Sequence, residues 1–133
     1  MPVSLQIIPH PTYLHATLTG EITPPSAKQA LAQILDAAWD NRQPHILIDL
    51  RTASGVQNLT VVDRFDLVTY LVDLVREARS KGLLDVRVAQ VAREYRADVD
   101  TFSQTVAANR GLALRITADL DEALAWLGVN GNG

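Results

Sequence analysis

The sequence has no cysteine. Disulfides, thiol nucleophiles and thiolate metal sites are therefore excluded together. Aromatic residues are scarce, at 5%, too few to suggest a platform on which nucleic-acid bases stack. Positive charge is also short: 12 basic residues face 15 acidic ones, for a formal charge of −3. No basic field is available to follow a phosphate backbone, which argues against a nucleic-acid partner. No stretch offers ~20 uninterrupted apolar residues, so no membrane span is expected. The opening "MPVSLQIIPHP" has no basic region, and its apolar run is too short for a secretion signal. A cytoplasmic domain is the expectation.

Catalytic and metal-binding patterns are missing as well. His10, His15 and His45 show no helical i, i+4 pair and no H-E-x-x-H spacing, so no metal is expected. No G-x-S-x-G elbow, G-x-G-x-x-G loop or P-loop lysine occurs, so neither a cofactor nor an enzymatic reaction is called for. What is present is core: 47% of the 133 residues are hydrophobic, enough for one domain and too few for two.

Periodicity lays out the elements. "VSLQIIP" and "YLHATLTG" read as strands joined by Pro9-His10-Pro11, a tight connection. Thr23-Pro24-Pro25 opens a helix, with threonine as cap and proline in the first turn. Ala27, Ala30, Leu31, Ile34, Leu35 and Ala38 share one face of it. "HILIDL" has no polar alternation and predicts a central parallel strand covered on both faces. Thr60-Val-Val-Asp63 is a capping pattern that starts a long helix, which ends at Gly82 in the left-handed conformation. "LLDVRVAQVA" is the next strand, "DVDTFSQTVAANRG" a helix, and "LALRIT" the last strand. Asp119 to Glu122 starts a final helix, where Trp126 serves as a core anchor. The domain is read as residues 1–128, with a mobile tail at 129–133. The order β-β-α-β-α-β-α-β-α predicts a single-domain α/β sandwich. It should hold a mostly parallel mixed sheet of about five strands and about four helices.

On the "HILIDLR" strand, this order of elements and the ending "RGLALRITADLDEALAWLG", the chain resembles the SpoIIAA-like group, relatives of STAS domains. The resemblance runs from about Leu5 to Leu127. It implies the fold of bacterial anti-sigma-factor antagonists. Those proteins switch through a serine in a D-S-S-G pattern, which a kinase partner phosphorylates and whose unmodified form binds that kinase. Here Asp49-Leu50 match the strand's end, but "RTASGVQNLTVVD" follows, without D-S-S-G. Ser54-Gly55 comes too early, and Thr60 lies nearer the helix start. The resemblance thus implies a non-catalytic STAS-like binding or regulatory module lacking the phosphoserine motif. The alternative is a carrier of a small apolar or lipid-like ligand, since this fold region is also compared with CRAL-TRIO proteins. A protein partner, an apolar ligand and a homodimer all remain open.

In parallel sheets, ligands gather beyond the carboxyl ends of the strands. "DLRTASG", "REYRAD" and "TADLDE" should meet there. Asp49, Arg51, Ser54, Arg93, Tyr95 and Asp119 are therefore the candidate ligand- or partner-contacting residues. Asp49 lacks a second acid beside it, so its expected role is structural, satisfied by loop amides or by Arg51 across the turn. On the long helix, Val61, Phe65, Val68, Val72 and Val75 form a stripe expected to pack on the sheet. Leu67, Tyr70, Leu71 and Leu74 form a second stripe, which meets the adjacent helix, a partner subunit or a ligand.

Overall fold

The computed structural model describes residues 3–129. In chain order the elements are β1 (Ser4–Pro9), β2 (Leu14–Glu21), α1 (Pro24–Asp40), β3 (His45–Asp49), β4 (Ala53–Ser54), α2 (Val61–Ser80), β5 (Arg87–Val91), α3 (Ala97–Asn109), β6 (Ala113–Thr117) and α4 (Leu120–Trp126). A 3₁₀ turn, Val56–Asn58, lies before α2. The sheet order is β1-β2-β3-β5-β6. β1 is antiparallel to β2, and every other pairing is parallel. The predicted α/β sandwich is the observed architecture, with six strands in place of about five.

Local chemistry sets the helix starts. The Thr23 hydroxyl accepts from the Ser26 amide at 3.3 Å, and the Ser26 hydroxyl accepts from the Thr23 amide at 2.9 Å. Thr60 and Asp63 make the same reciprocal pair at 3.0 and 2.9 Å. Each box satisfies two amides that the helix leaves free. After α2, Gly82 takes φ +108, a conformation that only glycine adopts without penalty.

β3 is buried along nearly its whole length, as its unbroken apolar run predicts. Ile46 and Ile48 face α1, α2 and α3 in the larger core. Leu47 faces the other side, where it joins Tyr13, Ala89, Val91, Ala123 and Leu127 under α4. Trp126 packs against this smaller cluster. Three helices thus cover one face, and the seven-residue α4 covers part of the other.

Three expectations change. β4 and the 3₁₀ turn are additions to the predicted layout. Asp49 pairs with Thr17, and Ala53 with Gly20, so β3 continues into β4 over a bulge of one extra residue. Gly55, at φ +81, ends that run, and a Cβ there would lie 2.9 Å from the Ile22 carbonyl oxygen. Second, the stripe of α2 splits. Val68, Val72 and Val75 are buried as expected, whereas Val61 is 51% and Phe65 37% exposed. The buried Arg64 takes the inward place in the first turns. Third, Val129 belongs to the packed domain: it is buried, and its amide donates to the Leu124 carbonyl at 2.9 Å. The rest of the expected mobile tail, 130–133, lies outside the described residues. Among the described residues no helix is long and apolar enough to cross a membrane.

Candidate functional site

Strand alternation puts Asp49 on the face of Leu47, the α4 side of the sheet. Its carboxylate is held three ways. The Arg51 guanidinium donates to both oxygens, at 3.0 and 2.8 Å. The Arg51 amide donates at 3.1 Å, and His15 Nε2 lies 3.1 Å from Oδ2. Burial opposes ionisation of Asp49, but these hydrogen bonds, led by the Arg51 guanidinium, outweigh it and hold the carboxyl at about 2. The same contact raises Arg51 above its ordinary value. Arg51 was the expected partner; His15, which comes from β2, was not read in the sequence.

The other candidates separate. Ser54 is exposed on β4, and the backbone oxygen beside it, that of Ala53, accepts from Arg93 at 2.5 Å. This bond ties the β5–α3 loop to the β3–β4 bulge, so two of the three expected segments meet. Tyr95 turns to its own helix, its hydroxyl 2.8 Å from that of Thr101. Asp119 caps α4 by accepting from the amides of Asp121 and Glu122. Beside it, Glu122 accepts from Arg115 at 2.6 Å and from Thr117 at 3.1 Å, which lowers its pKa. Among the described residues no hydrogen bond or ion pair joins this third segment's side chains to Asp49, Arg51, Ser54, Arg93 or Tyr95.

Two adjoining cavities on the three-helix side bear on the site. One is mainly apolar, of about 100 Å³, lined by Ile48 and Ile116 of the sheet, Ala30 and Leu31 of α1, and Leu67 and Leu71 of α2. The second is polar, of about 330 Å³, at the carboxyl ends of β3 and β5. Arg64, Arg93, Glu94, Arg96 and Asp100 line it. The two share Leu50, Val56, Arg64 and Gln90 as walls.

Arg64 is 8% and Asp100 4% exposed. Their side chains meet at 3.4 Å, and Arg64 also donates to the Val56 carbonyl at 3.0 Å. Asp100 accepts from the Arg96 amide at 2.7 Å. A buried pair needs such extra partners to offset its desolvation. The pair sets the first turns of α2 and α3 side by side. Sequence reading missed Arg64 and Gln90, and covered Arg96 only as part of "REYRAD". The available signals were an arginine in the first turns of an apolar helix and a glutamine in the apolar "VRVAQVA". The second stripe of α2 turns inward: Leu71 is buried, Leu67 lines the apolar cavity, and Leu74 packs on the core. Tyr70 sits under Lys28 of α1, 5.8 Å from the ring centre. Among the described residues no group of three or more histidines and acids is placed to hold a metal.

No protein-family model matches the sequence, and no curated protein matches it. Solved structures do. An anti-sigma factor antagonist from Mycobacterium paratuberculosis superposes with a TM-score of 0.54 at 17% identity, over 95% of this chain and 94% of that one. An uncharacterized protein of the DUF3478 family from Shewanella loihica PV-4, described as having a SpoIIAA-like fold, superposes with a TM-score of 0.51 at 19% identity. That match covers 94% of this chain and 93% of the other. At these identities the likeness is one of fold, and over nearly its whole length the chain has a STAS/SpoIIAA-like fold.

Proposed function

We propose that this chain is a non-catalytic binding or regulatory module that docks a protein partner where α2 and α3 begin, without the serine switch of antagonist STAS domains. The observation that carries this reading is a set of exposed apolar side chains on the first turns of α2 and on or just before α3. Val61, Val62 and Phe65 of α2 are 51%, 68% and 37% exposed, and Tyr95 and Phe102 around α3 are 43% and 38%. Single exposed hydrophobics are ordinary, but several on two neighbouring helices favour a contact surface. That one structural neighbour is named an anti-sigma factor antagonist is in keeping with a protein as partner. A cytoplasmic setting belongs to the same proposal, and a chain without disulfides suits a reducing compartment.

The missing switch has local support. The Thr60 hydroxyl is engaged with the Asp63 amide, and the Asp63 carboxylate with the Thr60 amide. A phosphate on Thr60 would break this box and set like charge against Asp63. Ser54 stands in a two-residue strand, where its carbonyl accepts from the Ile22 amide at 2.8 Å. The test is Val62→Asp, which changes an exposed residue and should leave the circular dichroism spectrum intact. Wild-type protein should retain one partner, or a second copy of itself, in affinity capture and light scattering, and the variant should lose it. An identical complex with the folded variant would remove this surface from the proposal.

A second reading has its own observation. The apolar cavity under α1 and α2 supports a carrier of a small apolar ligand.

A further inference from the structure

Gln90 is out of keeping with its surroundings. It lies on β5 between Ile48 of β3 and Ile116 of β6, on the face that carries the main core. It borders both cavities, and none of the side-chain hydrogen bonds among the described residues involves its amide. Its side chain is half-buried, so the amide can meet solvent or the head of a ligand. The cavities differ in kind on its two sides, apolar below and cationic above.

We propose that the two cavities form one site for a small monoanionic amphiphile, a carboxylate with a short aliphatic tail. The tail occupies the apolar cavity, the carboxylate meets the arginines of the polar one, and Gln90 hydrogen-bonds the head where the two join. This rests on the carrier reading and adds to it the charge and size of the ligand. Size follows from volume. The apolar cavity is small, about 100 Å³, which suits a short aliphatic tail such as that of pentanoate. Charge follows from the lining. Arg64, Arg93 and Arg96 face Glu94 and Asp100, an excess of one positive charge. Arg64 spends donors on the Val56 carbonyl and on Asp100, Arg93 spends one on the Ala53 carbonyl, and among the described residues the Arg96 side chain meets the exposed Asp98 alone, at 3.8 Å. With five N–H groups on each guanidinium, donors remain for a carboxylate. The cavity walls also explain the tail's seat: Ala30 and Ile34 of α1 and Leu71 of α2 offer no polar atom on the side chain.

The experiment is a titration of the whole chain, followed by ¹⁵N chemical shifts that include the Gln90 side-chain amide. The probes are pentanoate, neutral pentanamide, and acetate, which keeps the head without the tail. Pentanoate should shift Gln90, Leu50 and Val56 and bind about tenfold tighter than either other probe, the scale of one hydrogen bond to a charged group. Arg96→Gln, at an exposed position, should keep the fold and erase the preference for pentanoate over pentanamide. Ala30→Leu, which fills the apolar cavity, should remove pentanoate binding and leave that of acetate unchanged. Equal binding of pentanoate and pentanamide would overturn the anionic site and leave the carrier reading standing. Equal binding of pentanoate and acetate would overturn the seat for the tail. No shift with any probe at millimolar concentration would overturn the site and the carrier reading together.

Discussion

Asp49 shows how much one residue's neighbours decide. An acid ending a buried strand suggests metal binding or phosphoryl chemistry, yet here both oxygens are engaged by Arg51 and His15. Its carboxyl is lowered from 3.8 to about 2, which corresponds to about 2 kcal/mol in favour of the folded state. Because the folded value lies below the unfolded one, that stabilisation is complete above about pH 4. It fades as the pH falls through the folded value near 2. Asp49→Asn keeps the shape and removes the charge. Chemical denaturation should find it about 1–2 kcal/mol less stable at pH 7. The gap to wild type should close between pH 4 and 2. A gap that stays constant down to pH 2 would assign the loss to packing instead.

At the scale of an element, α2 carries the most varied load. Its first turn is capped by Thr60 and Asp63, its next residue inward is an arginine, and its apolar stripe is buried only from Val68 onward. Helical periodicity places Val61 and Phe65 on the same stripe as Val68. What periodicity does not convey is where the sheet ends beneath the helix. There the floor gives way to the polar chamber, and Arg64 reaches Asp100 instead of an apolar wall. Leu71→Asp would bury an unpaired charge in the core and should prevent folding. Phe65→Asp should fold, with a loss of about 0.5–1 kcal/mol from its contact with Arg110. Paired circular dichroism melts distinguish these outcomes; equal damage from both would mean that the stripe is buried from its first residue.

The whole molecule is uneven. Three helices seal one face of the sheet, while a single short helix and the Leu127–Val129 segment hold the smaller core on the other. Leu127 is fully buried there. Leu127→Ala should therefore cost about 2–5 kcal/mol, the usual range for emptying a closed site. Against a total of roughly 5–15 kcal/mol, that is a large share. A melting temperature within a degree or two of wild type would mean that the α4 side contributes little to the fold.

What the sequence by itself determined is what short range controls. The capping pairs at Thr23 and Thr60, the Asp119 cap, the left-handed Gly82 and the unbroken apolar run of β3 all act within a few residues. Local sterics and hydrogen bonding are enough to set them, so the order of elements and the α/β class were legible. The bond from Asp49 to Arg51 was legible for the same reason, two residues apart. The tertiary structure alone decided that His15 reaches Asp49 across 34 positions and that Arg64 reaches Asp100 across 36. It also decided that β3 resumes as β4 beside β2 and that Gln90 stands between an apolar and a cationic cavity. Those outcomes depend on how each helix is rotated on the sheet and how the strands are staggered. Rotation and stagger are set by packing between residues far apart in the chain, and no local pattern encodes them.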